Sequence, residues 1–217
     1  MSAAKTNLRI SEIFYSLQGE ARDVGFPTVF IRLTGCPLRC VWCDTEYAFH
    51  GGETLDFDAI LSRVATFNTR RVTVSGGEPL AQTQCIDLLQ QLCDDNYQVS
   101  LETSGAMDVS KVDRRVVKVV DVKPPGSGES SKNRLENFQF LNKNDQLKFV
   151  ISHREDYDWS LQFIDQHNLS QYCDILFSPV YQVMPTTDLA DWLLADQRNI
   201  RLQIQLHKYL WGEVAGT

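Results

Sequence analysis

The chain has 217 residues, of which 43% are hydrophobic and 23% charged, an ordinary globular composition that excludes a disordered or collagen-like chain. With 21 Lys and Arg against 28 Asp and Glu, the net charge is −7, which disfavours a general nucleic-acid binder. No apolar run reaches the ~18 residues that span a bilayer, and the opening MSAAKTN has no apolar stretch after its lysine, so no membrane contact and no export signal are expected and the cytoplasm is the default location.

Short runs rich in β-branched and apolar residues predict strands over 8–14, 28–33, 71–74, 97–102, 116–122, 146–151, 174–177 and 200–205. Helical spacing of apolar residues predicts helices between several of them. The markers are Phe57, Ile60, Leu61 and Val64, then Ile86, Leu89 and Leu92, then Leu161 and Ile164. Leu189, Trp192 and Leu193 open a last helix, with Thr187-Asp188 as its expected cap. Alternating strands and helices predict an α/β fold, a parallel sheet with helices packed outside it. Two stretches break the rhythm: a cysteine-bearing loop over 35–53, and KPPGSGESSKN at 123–133, which reads as an exposed, mobile loop. No linker divides the chain, so residues 1–217 are expected to form one domain.

The unusual residues collect just after strand candidates. Thr34-Gly35-Cys36, Ser75-Gly76-Gly77-Glu78-Pro79, Thr103-Ser104-Gly105, Lys123-Pro124-Pro125, Ser178-Pro179 and His207-Lys208 all fall there. In parallel α/β sheets that edge carries the active site. Loops collect small and polar residues for ordinary reasons as well.

Cys36, Cys40 and Cys43 form C-x3-C-x2-C. Without an export signal, a disulfide framework is not expected. Three thiolates on one compact loop can hold three corners of a [4Fe–4S] cube and leave the fourth iron open to an outside ligand. Structural zinc is the competing reading. It needs a fourth ligand, for which His50 is nearest, and it favours a second cysteine pair that is missing here. Cys85, Cys93 and Cys173 read as small buried hydrophobes.

With this triplet after one strand and Gly-Gly-Glu-Pro after the next, the chain resembles the radical S-adenosylmethionine (SAM) superfamily. Ser16-Leu17-Gln18-Gly19-Glu20, Phe30-Ile31-Arg32-Leu33, Trp42-Cys43-Asp44-Thr45, Glu102-Thr103-Ser104-Gly105 and Gln205-Leu206-His207-Lys208 narrow the resemblance to the 7-carboxy-7-deazaguanine synthases of the queuosine (7-deazapurine) pathway. The resemblance implies a modified partial TIM barrel of about six parallel strands with outer helices, its active site at the C-terminal strand ends, commonly as a homodimer. It implies a lyase that converts 6-carboxy-5,6,7,8-tetrahydropterin to 7-carboxy-7-deazaguanine with loss of ammonia. SAM, a [4Fe–4S] cluster, Mg²⁺ and an electron donor such as a flavodoxin or ferredoxin are implied with it. A glycyl-radical activase would share the cysteines and the Gly-Gly-Glu-Pro loop but not SLQGE or CDT.

The resemblance also distributes roles. Cys36, Cys40 and Cys43 hold the cluster. SAM is met by Trp42, Cys43 and Asp44 from the cysteine loop, by Gly76, Gly77 and Glu78, by Glu102 and Ser104, and by Lys123 and Ser178. The Thr45 hydroxyl ligates Mg²⁺, a hard cation that accepts further oxygens from substrate. Leu17, Gln18, Gly19 and Glu20 read the donor–acceptor edge of the pterin. Arg32 within an apolar strand suits the substrate carboxylate, or an ion pair with Glu20 or Asp44. Ser75, His207 and Lys208 complete the substrate set, although Lys208 also fits a solvated surface lysine.

Overall fold

The structure, a computed structural model, describes residues 6–214 and 216. The first five positions of the export-signal reading lie outside the described residues, as does the end of the chain at 217. In chain order the elements are β1 (Asn7–Leu17), β2 (Pro27–Leu33), β3 (Glu53–Asp56), α1 (Phe57–Ala65), β4 (Arg71–Gly76), α2 (Cys85–Asp94) and β5 (Gln98–Thr103). There follow β6 (Val117–Val122), β7 (Gln146–Ile151), α3 (Arg154–Gln166), β8 (Asp174–Pro179), α4 (Thr186–Asp196), β9 (Arg201–Leu202) and α5 (Leu206–Trp211).

All strands join one sheet, ordered β3-β1-β2-β4-β5-β6-β7-β8-β9. From β2 to β8 six strands run parallel, and the two-residue β9 continues them. β1 pairs antiparallel with both β2 and β3 and extends one edge. The expected α/β class and strand number hold. β3 was not foreseen, because ETLD is short and half polar.

Side chains alternate along each strand, so the sheet separates two environments. Val29, Ile31, Leu33, Val72, Val74, Val99 and Leu101 point outward and form a dry core with Ile60 and Val64 of α1 and the leucines of α2. Leu147, Phe149, Ile151, Ile175 and Phe177 form a second core with Tyr157, Ile164, Leu189 and Leu193 from α3 and α4. The alternate residues, among them Arg32, Ser75, Glu102, Asp121 and Lys148, face the inside of the curved sheet and line a cavity. The last segment reaches back to the first: Leu206 N donates to Gly19 O at 2.9 Å, bridging the ends of the open sheet.

Three local expectations are corrected. α4 begins at Thr186 after Pro185, so Thr187 and Asp188 lie inside its first turn and no side chain caps it. The fixed φ of proline suits such a start. The strand expected over 200–205 is only β9, because the chain turns there into α5, which carries His207 and Lys208. The 123–133 segment is not an exposed loop but a half-buried clasp. Asn133 closes it with paired bonds to Lys123 N and O, both 2.8 Å. Asp156 accepts from Gly126 N at 2.8 Å, and Ser127 is fully buried.

Candidate active site

At the carboxyl ends of the parallel strands lies a cavity of about 980 Å³. Small-molecule sites run to about 1,000 Å³, so there is room for more than one ligand. Every site residue singled out from the sequence lines it except Glu78 and Ser178.

Cys36, Cys40 and Cys43 are free, half-buried thiols on the loop after β2. Backbone bonds hold this loop: Gly35 N to Ala48 O at 2.8 Å, Cys43 N to Cys40 O at 3.2 Å, and Val41 N to Ser127 O of the clasp at 3.0 Å. Burial pushes all three thiols up, while the Leu38 N–H at Cys36 and the Thr45 N–H at Cys43 favour the thiolates. Among the described residues no three His, Cys, Asp or Glu side chains converge as a single ion would require. His50 is exposed and off the cavity. Three unpaired thiols spread around one cavity, two of them met by backbone N–H groups, fit the corners of a cubic cluster better than one zinc ion.

The Gly-Gly-Glu-Pro turn packs directly on this loop. Glu78 N donates to Gly35 O at 2.8 Å and Gly77 N to Leu33 O at 3.2 Å. A Cβ on Gly77 would collide with Gly35 O and with the Cys36 side chain, so bare backbone is required there. Glu78 was expected at SAM, but it is fully buried and its carboxylate is already satisfied. It accepts from Leu80 N at 3.0 Å, Thr103 Oγ1 at 2.9 Å, Ser104 N at 2.7 Å and the Ser104 hydroxyl. Its place is structural: it joins the loop after β4 to the loop after β5. Ser178 is buried within β8, opposite Val150, and does not reach the cavity either.

The same cavity holds a charged well. Lys148 Nζ lies 2.6 Å from Glu20 Oε2 and 3.8 Å from Asp121, and Lys123 Nζ lies 3.1 Å from Asp121. Gln205 Nε2 donates to Glu20 at 2.9 Å. Glu102 accepts from Ser75 Oγ at 3.0 Å and faces Gln18 Nε2 at 3.4 Å, so its carboxyl joins the residues expected at the pterin rather than those expected at SAM. Gln18 Nε2 also donates to Thr73 Oγ1 at 2.9 Å. The two carboxyls separate in acidity. Burial opposes ionisation of Glu20, but Lys148 and Gln205 hold its pKa below the usual value. Burial and then the Glu20 charge push Glu102 up. Lys148 stays cationic despite burial because Glu20 and Asp121 face it. The two neighbouring carboxyls are thus pushed apart in acidity.

Between the two ends, Thr45 Oγ1 donates to Asp44 Oδ1 at 2.8 Å, and Lys208 Nζ lies 2.8 Å from Asp44 Oδ2. Lys208 is therefore not a solvated surface lysine; it is 8% exposed. Burial works against the Asp44 charge, but Lys208 and Thr45 hold its carboxyl well below the usual range. His207 packs against Gly19, where any Cβ would collide with its imidazole, and burial lowers its pKa. Arg32 pairs neither with Glu20 nor with Asp44: its Nε donates to Glu12 Oε1 at 2.7 Å.

Glu12, Tyr47, Asp121, Lys148 and Gln205 were missed from the sequence. For Lys148 the signal was present, a lone charge inside an apolar strand, as in the case of Arg32; Asp121 shares its strand with Lys118.

Comparison with known proteins follows the same lines. The Radical SAM superfamily matches residues 30–122. The 7-carboxy-7-deazaguanine synthase of Koribacter versatilis (strain Ellin345) is 40% identical over 219 residues, covering 94% of this chain and 97% of that one. That of Chlorobaculum tepidum is 42% identical over 208 residues, covering 94% of each. Among solved structures, QueE from Escherichia coli superposes with a TM-score of 0.78 at 22% identity, over 95% of this chain and all 100% of that chain. Streptococcus suis SuiB, bound to S-adenosylmethionine, gives 0.54 at 12% identity over 79% of this chain and 45% of that one. The two structures share the fold.

Proposed function

This chain belongs to the 7-carboxy-7-deazaguanine synthase family of radical SAM enzymes, and we propose that it converts 6-carboxy-5,6,7,8-tetrahydropterin to 7-carboxy-7-deazaguanine with release of ammonia. The observation that supports this substrate is that a charged well and three free thiols line one cavity. A glycyl-radical activase would have no use for such a well beside its cysteines.

When bound to Cys36, Cys40 and Cys43, a [4Fe–4S] cluster supplies the electron that cleaves SAM. Around it the chain provides a binding frame. Backbone at Gly76 and Gly77, the side chain of Ser104 and the cysteine loop at Trp42–Asp44 line the space beside the thiols. Glu78 fixes that frame from beneath rather than touching the ligand.

At the far end, Glu20 is held ionised by Lys148 and accepts from the pterin amino edge. Glu102, whose pKa burial and the Glu20 charge push up, is held by Ser75 and Gln18 beside the same ring edge. Arg32 would meet the 6-carboxylate directly, and Thr45 would supply an oxygen ligand to Mg²⁺, which when bound would add positive charge beside that carboxylate. An external one-electron donor, a homodimer, a single catalytic domain and the reducing cytoplasm belong to the same reading.

The test is anaerobic turnover of cluster-reconstituted protein with SAM, reductant and the pterin, read by mass spectrometry. 7-Carboxy-7-deazaguanine should form, with a yield that rises with Mg²⁺ and a Mg²⁺ requirement about 10-fold higher in Thr45→Ala. SAM cleavage without this product would overturn the substrate assignment.

A further inference from the structure

Glu12 and Tyr47 line up behind Arg32 in a way that the proposed reaction has not used. Glu12 Oε1 accepts two bonds, both 2.7 Å, from Arg32 Nε and from the Tyr47 hydroxyl. The Arg32 guanidinium lies 5.8 Å from the centre of the Tyr47 ring and 5.6 Å from that of Phe14. Phe14 in turn stacks on Phe30 at 4.9 Å. Among the described residues the two terminal nitrogens of Arg32 have no hydrogen-bond partner.

Two features of the backbone make this arrangement specific. The register of β1 against β2 slips between Ile10 and Glu12. Ile10 stays in the outer core, while Glu12 comes opposite Arg32 on the cavity side. Bulges re-aim side chains in this way beside functional sites. Tyr47 sits in the short turn Glu46–Phe49 that Thr45 opens, and Ala48 N donates to Thr45 O at 3.0 Å. The Tyr47–Glu12–Arg32 bridge therefore ties the Thr45 turn to strand β2.

Given the reading above, in which Arg32 and Thr45 receive the substrate carboxylate, we propose that Tyr47, acting through Glu12, is a positioning residue. It fixes the spacing between the Arg32 guanidinium and the Thr45 hydroxyl, and so selects pterins that carry a 6-carboxylate. Glu12 occupies Nε and leaves the terminal fork free for a two-point contact with a carboxylate. Without the bridge, the turn and the arginine move independently, and only a ligand that needs both suffers.

The experiment is equilibrium binding to the cluster-reconstituted protein with Mg²⁺ present, read by quenching of pterin fluorescence. The probes are 6-carboxypterin and unsubstituted pterin. Wild type should prefer the carboxylated ligand. Tyr47→Phe, which removes only a hydroxyl from a half-exposed ring, should weaken 6-carboxypterin about 10-fold, the value of one well-placed hydrogen bond, and pterin by less than about 2-fold. Glu12→Gln keeps an acceptor and should fall between them, about 3-fold on the carboxylated ligand alone. Equal losses on both ligands, or no loss on either, would overturn the positioning role while leaving the substrate reading standing. A wild type with no preference between the two probes would overturn both.

Discussion

At the sulfur end of the cavity, the reactive side chains come from one loop, residues 36–45, backed by main-chain bonds from Gly35, Gly77 and Ser127. In the charged well they come from six places: the turn after β1, then β4, β5, β6, β7 and the segment leading into α5. The first end is a local object whose shape depends on bare backbone at Gly77. The second exists only when the strands pair in register, because a slip of one residue would turn Lys148 or Glu102 to the outer core. Local chemistry and global topology thus meet in one cavity, and substitutions at the two ends should fail differently.

The largest effect is expected at the sulfur end. Cys43→Ala should abolish the iron–sulfur absorbance and 5′-deoxyadenosine formation while leaving the thermal midpoint of the apoprotein nearly unchanged. Continued SAM cleavage in that variant would remove Cys43 from the ligand set. Next comes the charged well. Lys148→Ala leaves the Glu20 carboxylate without its cation in a mostly buried site, while Asp121 keeps Lys123, and breaking such a pair costs about 3–5 kcal/mol. Chemical denaturation should show that loss alongside intact iron content, and an unchanged midpoint would mean the two ends are not built on different footings.

Glu102→Gln should have the smallest effect and a pH signature. The folded pKa of Glu102 is raised, so above the ordinary carboxylate value of about 4.3 the unfolded chain gives up this proton while the folded chain keeps it. Wild-type stability therefore falls as pH climbs through that window toward the folded value. The glutamine variant lacks this slope and should gain on wild type as pH rises above about 4.3, within about 0.5–2 kcal/mol. A pH-independent difference would mean that Glu102 is ionised in the folded protein.

The same contrast explains what could be read from the residues alone. Seven strands were legible to within a few residues, because apolar alternation is a short-range signal, and the eighth survives only as the two residues of β9. The cysteine loop and the Gly-Gly-Glu-Pro turn were legible because their residues are contiguous. Lys148 and Asp121 were not weighed, since they lie 27 positions apart and their partnership appears only when β6 and β7 pair. Glu12 was hidden by the register slip, which no residue type announces. At Glu78 a carboxylate in a functional motif reads as a ligand contact in sequence, whereas its donors on Leu80, Thr103 and Ser104 are visible only in the fold.

The clasp over 123–133 has a consequence for how the protein comes into being. Val41 and Arg39 in the cysteine loop bond to Ser127 and Glu129, and Gly126 is itself held by Asp156 from α3. A nascent chain that has emerged only through β5 carries all three cysteines but none of that backing. Loading of iron and sulfide thus belongs after about three-quarters of translation, and a prematurely terminated product would expose its thiols to oxidation instead of sheltering them.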